Sequence, residues 1–145
     1  MKLLLDIDAL TPPLTGIGHY TVQLLNGMQE AEGIEELKYI RNGAIIDSDV
    51  LSQTGNTLQS ARVAARRLPL QPLLRWGYQK YRTVRFWQRS SAFKEFVYHA
   101  PNYSLLPFQG RSVVTIHDLS FIRHPEFHPS DRVNYWRKHI YRVVK

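Results

Sequence analysis

The sequence predicts an α/β domain with three layers, in which a mostly parallel sheet lies between helices. Short apolar segments alternate along the chain with longer segments of helical periodicity, the order expected when crossover helices join parallel strands. Loops rich in proline, glycine or polar residues follow the apolar segments, and such sheets bind ligands beyond the carboxyl ends of their strands. The chain has 145 residues, the usual length of one domain, and its 43% hydrophobic content is enough for a buried core.

The first part of the chain predicts two strands around one helix. Residues 2–6 (KLLLD) are an apolar run that ends at an acidic residue and predict a buried strand. After a Pro/Gly loop, apolar residues recur at helical spacing, and Gly33 is predicted to stop this helix. Residues 36–40 (ELKYI) predict a shorter strand, and polar residues 41–56 predict a loop or a weakly ordered insertion. The helical face comprises Ile17, Tyr20, Thr21, Leu24, Leu25 and Met28.

The second part of the chain predicts helices, two strands and a final helix. Residues 58–91 have helical character that is interrupted around Pro69 and Pro72. Residues 95–99 (EFVYH) and 112–116 (SVVTI) predict strands, each followed by a proline-bounded loop. Ser130 is a suitable N-cap for the final helix. One face of that helix carries Val133, Trp136, Ile140 and Val144.

Composition limits the compartment and the partners. The chain has no cysteine, which excludes disulfides and thiolate metal sites and fits a reducing, cytosolic compartment. The apolar run at residues 3–5 is too short for a signal peptide or a membrane span. A net charge of +7 favours an anionic partner, which could be a nucleic acid, an anionic membrane or a phosphate-bearing ligand.

A glycine pair, Gly16-Ile17-Gly18, stands between the first strand and the first helix. Glycines there let a ligand approach the backbone, and the amides of a helix N-terminus attract anions. A dinucleotide fingerprint needs a third glycine where Thr21 stands, and the Gly-Lys-Ser/Thr of a phosphate loop is absent. The local pattern therefore leaves two interpretations open, a weak anion site and a plain turn that starts a helix.

His117 and Asp118 follow the best predicted strand of the chain. A histidine at this position could donate a hydrogen bond to a sugar hydroxyl or a phosphate, and Asp118 could orient the imidazole or start the next turn. The alternative is a histidine whose partners are all backbone groups. A metal-dependent HD phosphohydrolase is disfavoured, because its ligands lie on helices and this pair ends a strand.

His124 and His128 have the spacing of a helical zinc pair. Pro125 lies between them and Pro129 follows, so a helix is not expected there. The sequence therefore predicts no metal site.

Residues 50–94 contain no acidic residue and nine basic ones. On a helical wheel with about 100° per residue, an aromatic and aliphatic face lies opposite a basic face, with Lys80 as an exception on the apolar side. A basic amphipathic helix with tryptophan is typical of a membrane interface, although the apolar face could instead pack on the sheet. No nucleic-acid motif accompanies the charge. The residues assigned to membrane binding are Arg75, Trp76, Arg82, Arg85, Trp87 and Arg89.

The segments TGIGHYTVQLL, YHAPNYSLLP and VTIHDL, taken in this order, resemble the N-terminal domain of family 4 glycosyltransferases. The resemblance covers residues 1–40 and 95–145. It implies a Rossmann-like domain that forms one half of a GT-B enzyme, a retaining transferase that uses a nucleotide sugar and no metal or other cofactor. The expected activity is hexosyl transfer in polysaccharide or O-antigen assembly, with mannose as the expected sugar.

The resemblance also assigns roles to residues. His117, with Asp118 beside it, is expected at the reaction centre. The glycine segment is expected near the donor diphosphate and the acceptor, and the loop after residue 99 on the acceptor side. The substrate-binding residues implied are Gly16, Ile17, Gly18, Tyr20, Asn102, Tyr103 and Ser104.

The family's second domain binds the nucleotide sugar and carries two glutamates separated by seven residues, a spacing that this chain lacks. The expectation is therefore an acceptor-side domain, residues 1–145, that is inactive alone. Its expected partners are a glycan or lipid-linked acceptor and an anionic membrane, with peripheral attachment at the cytoplasmic face. Apolar surface left without its partner domain could cause self-association. The rival hypotheses are a stand-alone membrane- or anion-binding module without activity and a dinucleotide-dependent enzyme.

Overall fold

The structure is a computed structural model that describes residues 1–47 and 71–143. The predicted helical region before residue 71 therefore lies outside the described residues. Two one-turn 3₁₀ helices are present: Ser91–Phe93 follows the helix that ends at Ser90, and Pro125–Phe127 follows the helix that ends at Arg123. The other elements are β1 (Lys2–Asp6), α1 (Gly16–Glu30), β2 (Glu36–Arg41), β3 (Ala44–Ile46), α2 (Gln71–Ser90), β4 (Val97–Ala100), β5 (Arg111–Val114), α3 (Ser120–Arg123) and α4 (Ser130–Val143).

The five strands form one sheet in the order β3-β2-β1-β4-β5. Strand β1 lies at the centre and runs parallel to β2 and to β4, and β4 runs parallel to β5. Only the pairing of β2 with β3 is antiparallel in this described sheet. The predicted α/β class with a mostly parallel sheet is confirmed.

Helices cover both faces of the sheet. Successive side chains of β1 point to opposite faces, so Leu5 packs towards α1 while Leu4 packs towards Phe86 of α2. Because β1 is central and covered on both sides, its sequence is a continuous apolar run rather than an alternating one. The α1 side is completed by Ile7, Tyr39, Leu24, Leu25 and Met28, and the α2 side by Ile40, Phe96 and Tyr98.

The predicted loop after residue 40 is wrong at its start, where the chain turns back as strand β3. Asn42 and Gly43 both have positive φ angles, 52° and 73°. An Asn-Gly pair in this conformation makes the two-residue turn that favours a β-hairpin. The remainder of the predicted loop, from residue 48, lies outside the described residues.

Near the C-terminal end, the boundaries differ from those predicted. Strand β5 begins at Arg111 and ends at Val114, and its first three residues are exposed because it is an edge strand. The proline-bounded loop predicted after the last strand includes residues 121–129 (FIRHPEFHP), and these residues instead form most of α3 and a 3₁₀ turn. Helix α4 begins at Ser130, and Val133 and Ile140 on its predicted face are buried.

Candidate active site

The three loops that follow β1, β4 and β5 meet at the carboxyl edge of the sheet. Parallel strands in the order β1-β4-β5 bring their carboxyl ends to one side. The edge of the Tyr20 ring, from α1, contacts His117 with 4.8 Å between ring centroids. Tyr103, from the loop after β4, lies 5.8 Å from the same imidazole. The structure therefore brings together three of the residues assigned to the site from the sequence.

The imidazole of His117 is fixed by a backbone carbonyl. Its Nε2 lies 2.7 Å from the carbonyl oxygen of Pro101. A carbonyl oxygen only accepts hydrogen bonds, so Nε2 carries the hydrogen, and in the neutral ring Nδ1 is left as an acceptor. His117 is exposed at the edge of the sheet, where a ligand can reach it. The arrangement can therefore present an oriented ring nitrogen to a bound hydroxyl group.

Thr115 connects the strands beneath this imidazole. Its hydroxyl lies 3.0 Å from Nε2 of the buried His99 and 3.4 Å from the hydroxyl of Tyr20. Burial lowers the pKa of His99, which favours its neutral form. Sequence reasoning missed Thr115 and His99 as site residues. The signal was present in the segments TIHD, from position 115, and YHA, from position 98, where polar side chains lie at the ends of two neighbouring parallel strands.

The glycine pair at the start of α1 has two different surroundings. A Cβ on Gly18 would lie 3.0 Å from the carbonyl oxygen of Ala9 and 3.1 Å from the side chain of Leu14, whereas one on Gly16 would meet nothing within 4 Å. Gly18 therefore makes room for the protein's own β1–α1 loop, residues 7–15. Gly16 alone leaves space that a ligand could use.

The N-terminus of α1 is partly capped by Thr15. Its side-chain oxygen accepts from the amide of Gly18, and its carbonyl accepts from the amide of His19. The amides of Gly16 and Ile17 have no hydrogen-bond partner within the described part of the chain. Two free donors at a helix N-terminus are suited to an anion, and this role stays a prediction.

Asp118 bonds to the residues that follow it. Its carboxylate accepts from the amide and from the hydroxyl of Ser120, both at 2.6 Å. These hydrogen bonds from Ser120 hold the pKa of Asp118 below its ordinary value. Of the two roles predicted for Asp118, this geometry favours the start of the next turn, and it shows no bond from Asp118 to the imidazole of His117.

The remaining loop residues assigned to the acceptor side have different exposures. Asn102 and Ser104 are exposed, whereas the intervening Tyr103 is half-buried and has a φ of 54°. The Tyr103 ring stacks against Trp136 of α4, with 5.0 Å between centroids, and against Phe121. Helix α4 is thereby attached to the site through aromatic contacts that the sequence did not indicate.

A buried charged cluster lies beside the site, at the end of β1. Arg82 of α2 pairs with Asp8 and lies 3.5 Å from Asp6, which also accepts from the hydroxyl of Tyr98 at 3.3 Å. Burial, together with the charge of Asp8, raises the pKa of Asp6 to about 7, although Arg82 and two hydrogen bonds act in the opposite direction. The sequence reasoning noted Asp6 only as the end of a strand.

Arg82 does not lie on the surface to which the sequence reasoning assigned it. Its side chain is only 16% exposed and points towards the sheet. The exposed side of α2 is the one predicted to be apolar, and Lys80 and Arg85 lie over its Trp76 and Tyr81 rings. Arg89 is exposed, Arg85 is half-buried, and the side chain of Arg75 lies outside the described residues. We call the aromatic stripe the exposed residues Trp76, Tyr81, Val84 and Trp87.

The described residues provide neither a metal-binding cluster nor a membrane-spanning helix. Among the side chains that the structure describes, no cluster of three or more histidine or acidic residues could hold a metal ion. His124 and His128 have different partners, Glu126 and Ser120 respectively. None of the helices within residues 1–47 and 71–143 is both long and apolar enough to cross a membrane.

The chain is similar in sequence to a known bacterial protein. Over 97% of its length, the chain is 34% identical to the O-antigen chain mannosyltransferase B of Escherichia coli, and it spans 38% of the length of that protein. The similarity therefore includes most of residues 41–94, where the sequence carries no motif of its own. No protein-family model and no solved structure matches the chain.

Proposed function

We propose that this chain is part of a glycosyltransferase that transfers mannose from a nucleotide sugar to a glycan or lipid-linked acceptor in O-antigen assembly. The observation that carries the proposal is the site at the carboxyl edge of the sheet, where Tyr20, Tyr103 and His117 meet. The similarity to an O-antigen mannosyltransferase over almost the whole chain supports the same function.

In the proposed reaction, the bond between the sugar's anomeric carbon and the diphosphate oxygen breaks, and the diphosphate leaves with the bonding electrons. The acceptor's hydroxyl oxygen forms the new bond to that carbon, and its proton passes to the departing diphosphate. We propose retention of anomeric configuration, as the family resemblance implies. Stabilising the departing diphosphate is the main electrostatic demand, because negative charge grows there as the bond breaks.

The residues of this chain would orient the sugar and part of the diphosphate. Since the Pro101 carbonyl fixes Nε2–H of His117, the Nδ1 atom is available to accept a hydrogen bond from a hydroxyl of the transferred sugar. The free amides of Gly16 and Ile17 would donate to the diphosphate from the adjacent end of α1. The rings of Tyr20 and Tyr103 keep the imidazole in place from two sides.

The remaining functions belong, in this proposal, to a second domain of a GT-B enzyme. That domain would bind most of the nucleotide and supply its own acidic residues. The chain spans 38% of the E. coli mannosyltransferase, which leaves length in such a protein for a second domain.

Helix α2 is proposed as the contact with an anionic membrane at the cytoplasmic face. Its aromatic stripe is exposed, with Trp76 at 61% and Trp87 at 52%, and Lys80 and Arg85 lie over the Trp76 and Tyr81 rings. Tryptophan with flanking basic residues is favoured at the interface between lipid headgroups and acyl chains. The same exposed stripe is what favours the rival function, a membrane-binding module without catalytic activity.

The test of the catalytic proposal is His117→Ala in the full-length protein. Loss of an oriented group at the reaction centre is expected to lower mannosyl transfer from a nucleotide sugar by about 10²–10⁴-fold. Thermal unfolding should be little changed, because the side chain is exposed.

The matched control is His124→Ala, which removes another exposed histidine whose partner is Glu126. This variant should keep full activity. Near-normal transfer by the His117 variant would remove His117 from the site, and vesicle binding without any sugar transfer by the unmodified protein would favour the rival module.

A further inference from the structure

Arg82 links helix α2 to the loop that leads into the candidate site. Among the arginines of α2 with described side chains, it is the one paired with acidic residues of another element. Its guanidinium pairs with Asp8, two residues beyond β1, and its Nε is buried without a hydrogen-bond partner within the described residues. The unpaired donor has an energetic cost, which the charge interactions with Asp8 and Asp6 offset.

The β2–β3 turn takes part in the same contact. The amide of Asn42 donates to the Oδ1 atom of Asp8 at 2.6 Å, while the hydroxyl of Tyr78, also on α2, donates to the side chain of Asn42 at 3.0 Å. Gly43 lies so close to Arg82 that a Cβ there would be 2.7 Å from the arginine's backbone oxygen. The carboxylate of Asp8 is therefore held from two sides.

From Asp8 the contacts continue to the start of α1. The hydroxyl of Thr11 donates to the carbonyl of Asp8 at 3.1 Å. A Cβ on Gly18, in the first turn of α1, would lie only 3.0 Å from the carbonyl oxygen of Ala9. The amides of Gly16 and Ile17, which have no hydrogen-bond partner among the described residues, lie in that same turn. A shift of Asp8 would thus move the loop that packs on the anion-binding end of the helix.

We propose that Arg82 is a positioning residue that holds the β1–α1 loop, and with it the N-terminus of α1, in the geometry required at the site. It acts through Asp8 and does not touch the substrate. The proposal concerning structure stands on these contacts, whereas its consequence for turnover rests on the proposed glycosyltransferase function.

The structural test is hydrogen exchange on the chain with Arg82→Met, which removes the charge but keeps an unbranched side chain. Amides of residues 8–11 and of Asn42 are expected to exchange about tenfold faster, because the loop is held less firmly once Asp8, whose carboxylate accepts from the Asn42 amide, loses its charge pair with Arg82. Amides of β4 should keep their protection. Arg111→Met is the matched control, because it removes an exposed arginine at the opposite edge of the sheet, and it should change neither region.

A second measurement follows transfer by the full-length protein. Arg82→Met should lower kcat/KM by about 100-fold, the size of effect expected when a site is displaced by about 1 Å. Arg82→Lys, which restores the charge without the planar fork, should recover part of this loss, and Arg111→Met should lose nothing.

Equal acceleration of exchange in β4 and in the loop would overturn the proposal, since Arg82 would then serve global stability only. Unchanged exchange in the loop would also overturn it. If the unmodified protein transfers no sugar while the loop alone loses protection in the variant, the positioning role stands and the proposed function fails.

Discussion

Gly16 and Gly18, two residues apart at the start of α1, have different reasons to be glycine. Gly18 is buried and confined by the carbonyl of Ala9 and by Leu14. Gly16 is exposed and open. Of the two glycines after the strand, Gly18 is thus required by packing, whereas Gly16 lies at an open surface.

We expect Gly18→Ala to lower the free energy of unfolding by about 1 kcal/mol, because backbone atoms of Ala9 must move to admit the methyl group. Gly16→Ala should change stability by less than about 0.5 kcal/mol, since nothing opposes the methyl group. Urea denaturation of both variants measures the difference. Equal destabilisation by the two substitutions would contradict the different surroundings described for these glycines.

His117 illustrates how far sequence reasoning reaches at the scale of a residue. Its place after a strand predicted a position at the carboxyl edge of the sheet, and the structure places it at that edge. The partner of its ring, the Pro101 carbonyl, could not be predicted, because it lies 16 residues away and depends on the pairing of β4 with β5. Asp118 was open to two interpretations, and only the position of Ser120 favours one of them.

At the scale of elements, helix α2 carries the largest difference between expectation and structure. Helical spacing predicts which residues share a face, but not which face meets the sheet. Phe86 is fully buried and Ser90 beside it is also buried, and these two define the inner face together with Arg82. The charge pair with Asp8 allows an arginine on that inner face, and this pair is visible only once β1 and α2 are adjacent.

The β-hairpin is the element that local sequence alone could have predicted. Asn42-Gly43 is the commonest signal of a two-residue turn, yet the polar residues around it suggested a loop. Strand β3, Ala44–Ile46, is only three residues long, so its apolar run is too short to indicate a strand by itself.

The aromatic stripe of α2 leads to a prediction about membranes. The double variant Trp76→Ser, Trp87→Ser should bind vesicles of equal parts phosphatidylglycerol and phosphatidylcholine about tenfold more weakly, because both rings are exposed and would enter the interface. Vesicle co-sedimentation measures the binding.

Phe127→Ser is the control for that experiment, because Phe127 is an aromatic residue with 79% exposure outside α2. It should bind vesicles like the unmodified chain. Replacing Arg85 and Arg89 with glutamate should weaken binding mainly at low salt, where charges act over a longer range. A double tryptophan variant that binds as well as the control would contradict the role of the stripe.

At the scale of the whole molecule, the buried carboxyl of Asp6 connects pH to stability. Its pKa is raised from 3.8 to about 7 by burial, so between about pH 4 and pH 7 the folded chain binds more protons than the unfolded chain. The contribution of Asp6 to the free energy of unfolding therefore falls as the pH rises through this range.

Asp6→Asn should remove that fall. Relative to the unmodified chain, the variant is expected to gain about 2–3 kcal/mol between pH 5 and pH 8. Urea denaturation at both pH values measures the gain. The control is Asp131→Asn, an exposed carboxyl on α4, which should leave the pH slope unchanged. A variant whose slope matches that of the unmodified chain would show that Asp6 is ionised throughout this range.

The order of elements along the chain was sufficient to predict the three-layer class and the edge at which the loops gather. Parallel connections allow few arrangements, so alternating strands and helices were enough to predict a mostly parallel sheet, although β3 and α3 were missed. The Asp6–Arg82 contact spans 76 residues of chain, and no local pattern contains such a pairing. The side-chain partners at the site depend on the fold, so they could not be predicted from local sequence patterns.

The single guanidinium shared by α2 and the β1–α1 loop has a thermodynamic consequence. If lipid contact on α2 and donor binding at α1 both alter the position of Arg82, each must change the affinity of the other by the same factor. Protein with bound donor and protein without it would then distribute differently between membrane and solution. If the proposed function and the proposed membrane contact both hold, the supply of sugar nucleotide would in that way set the fraction of the protein that is bound to membrane.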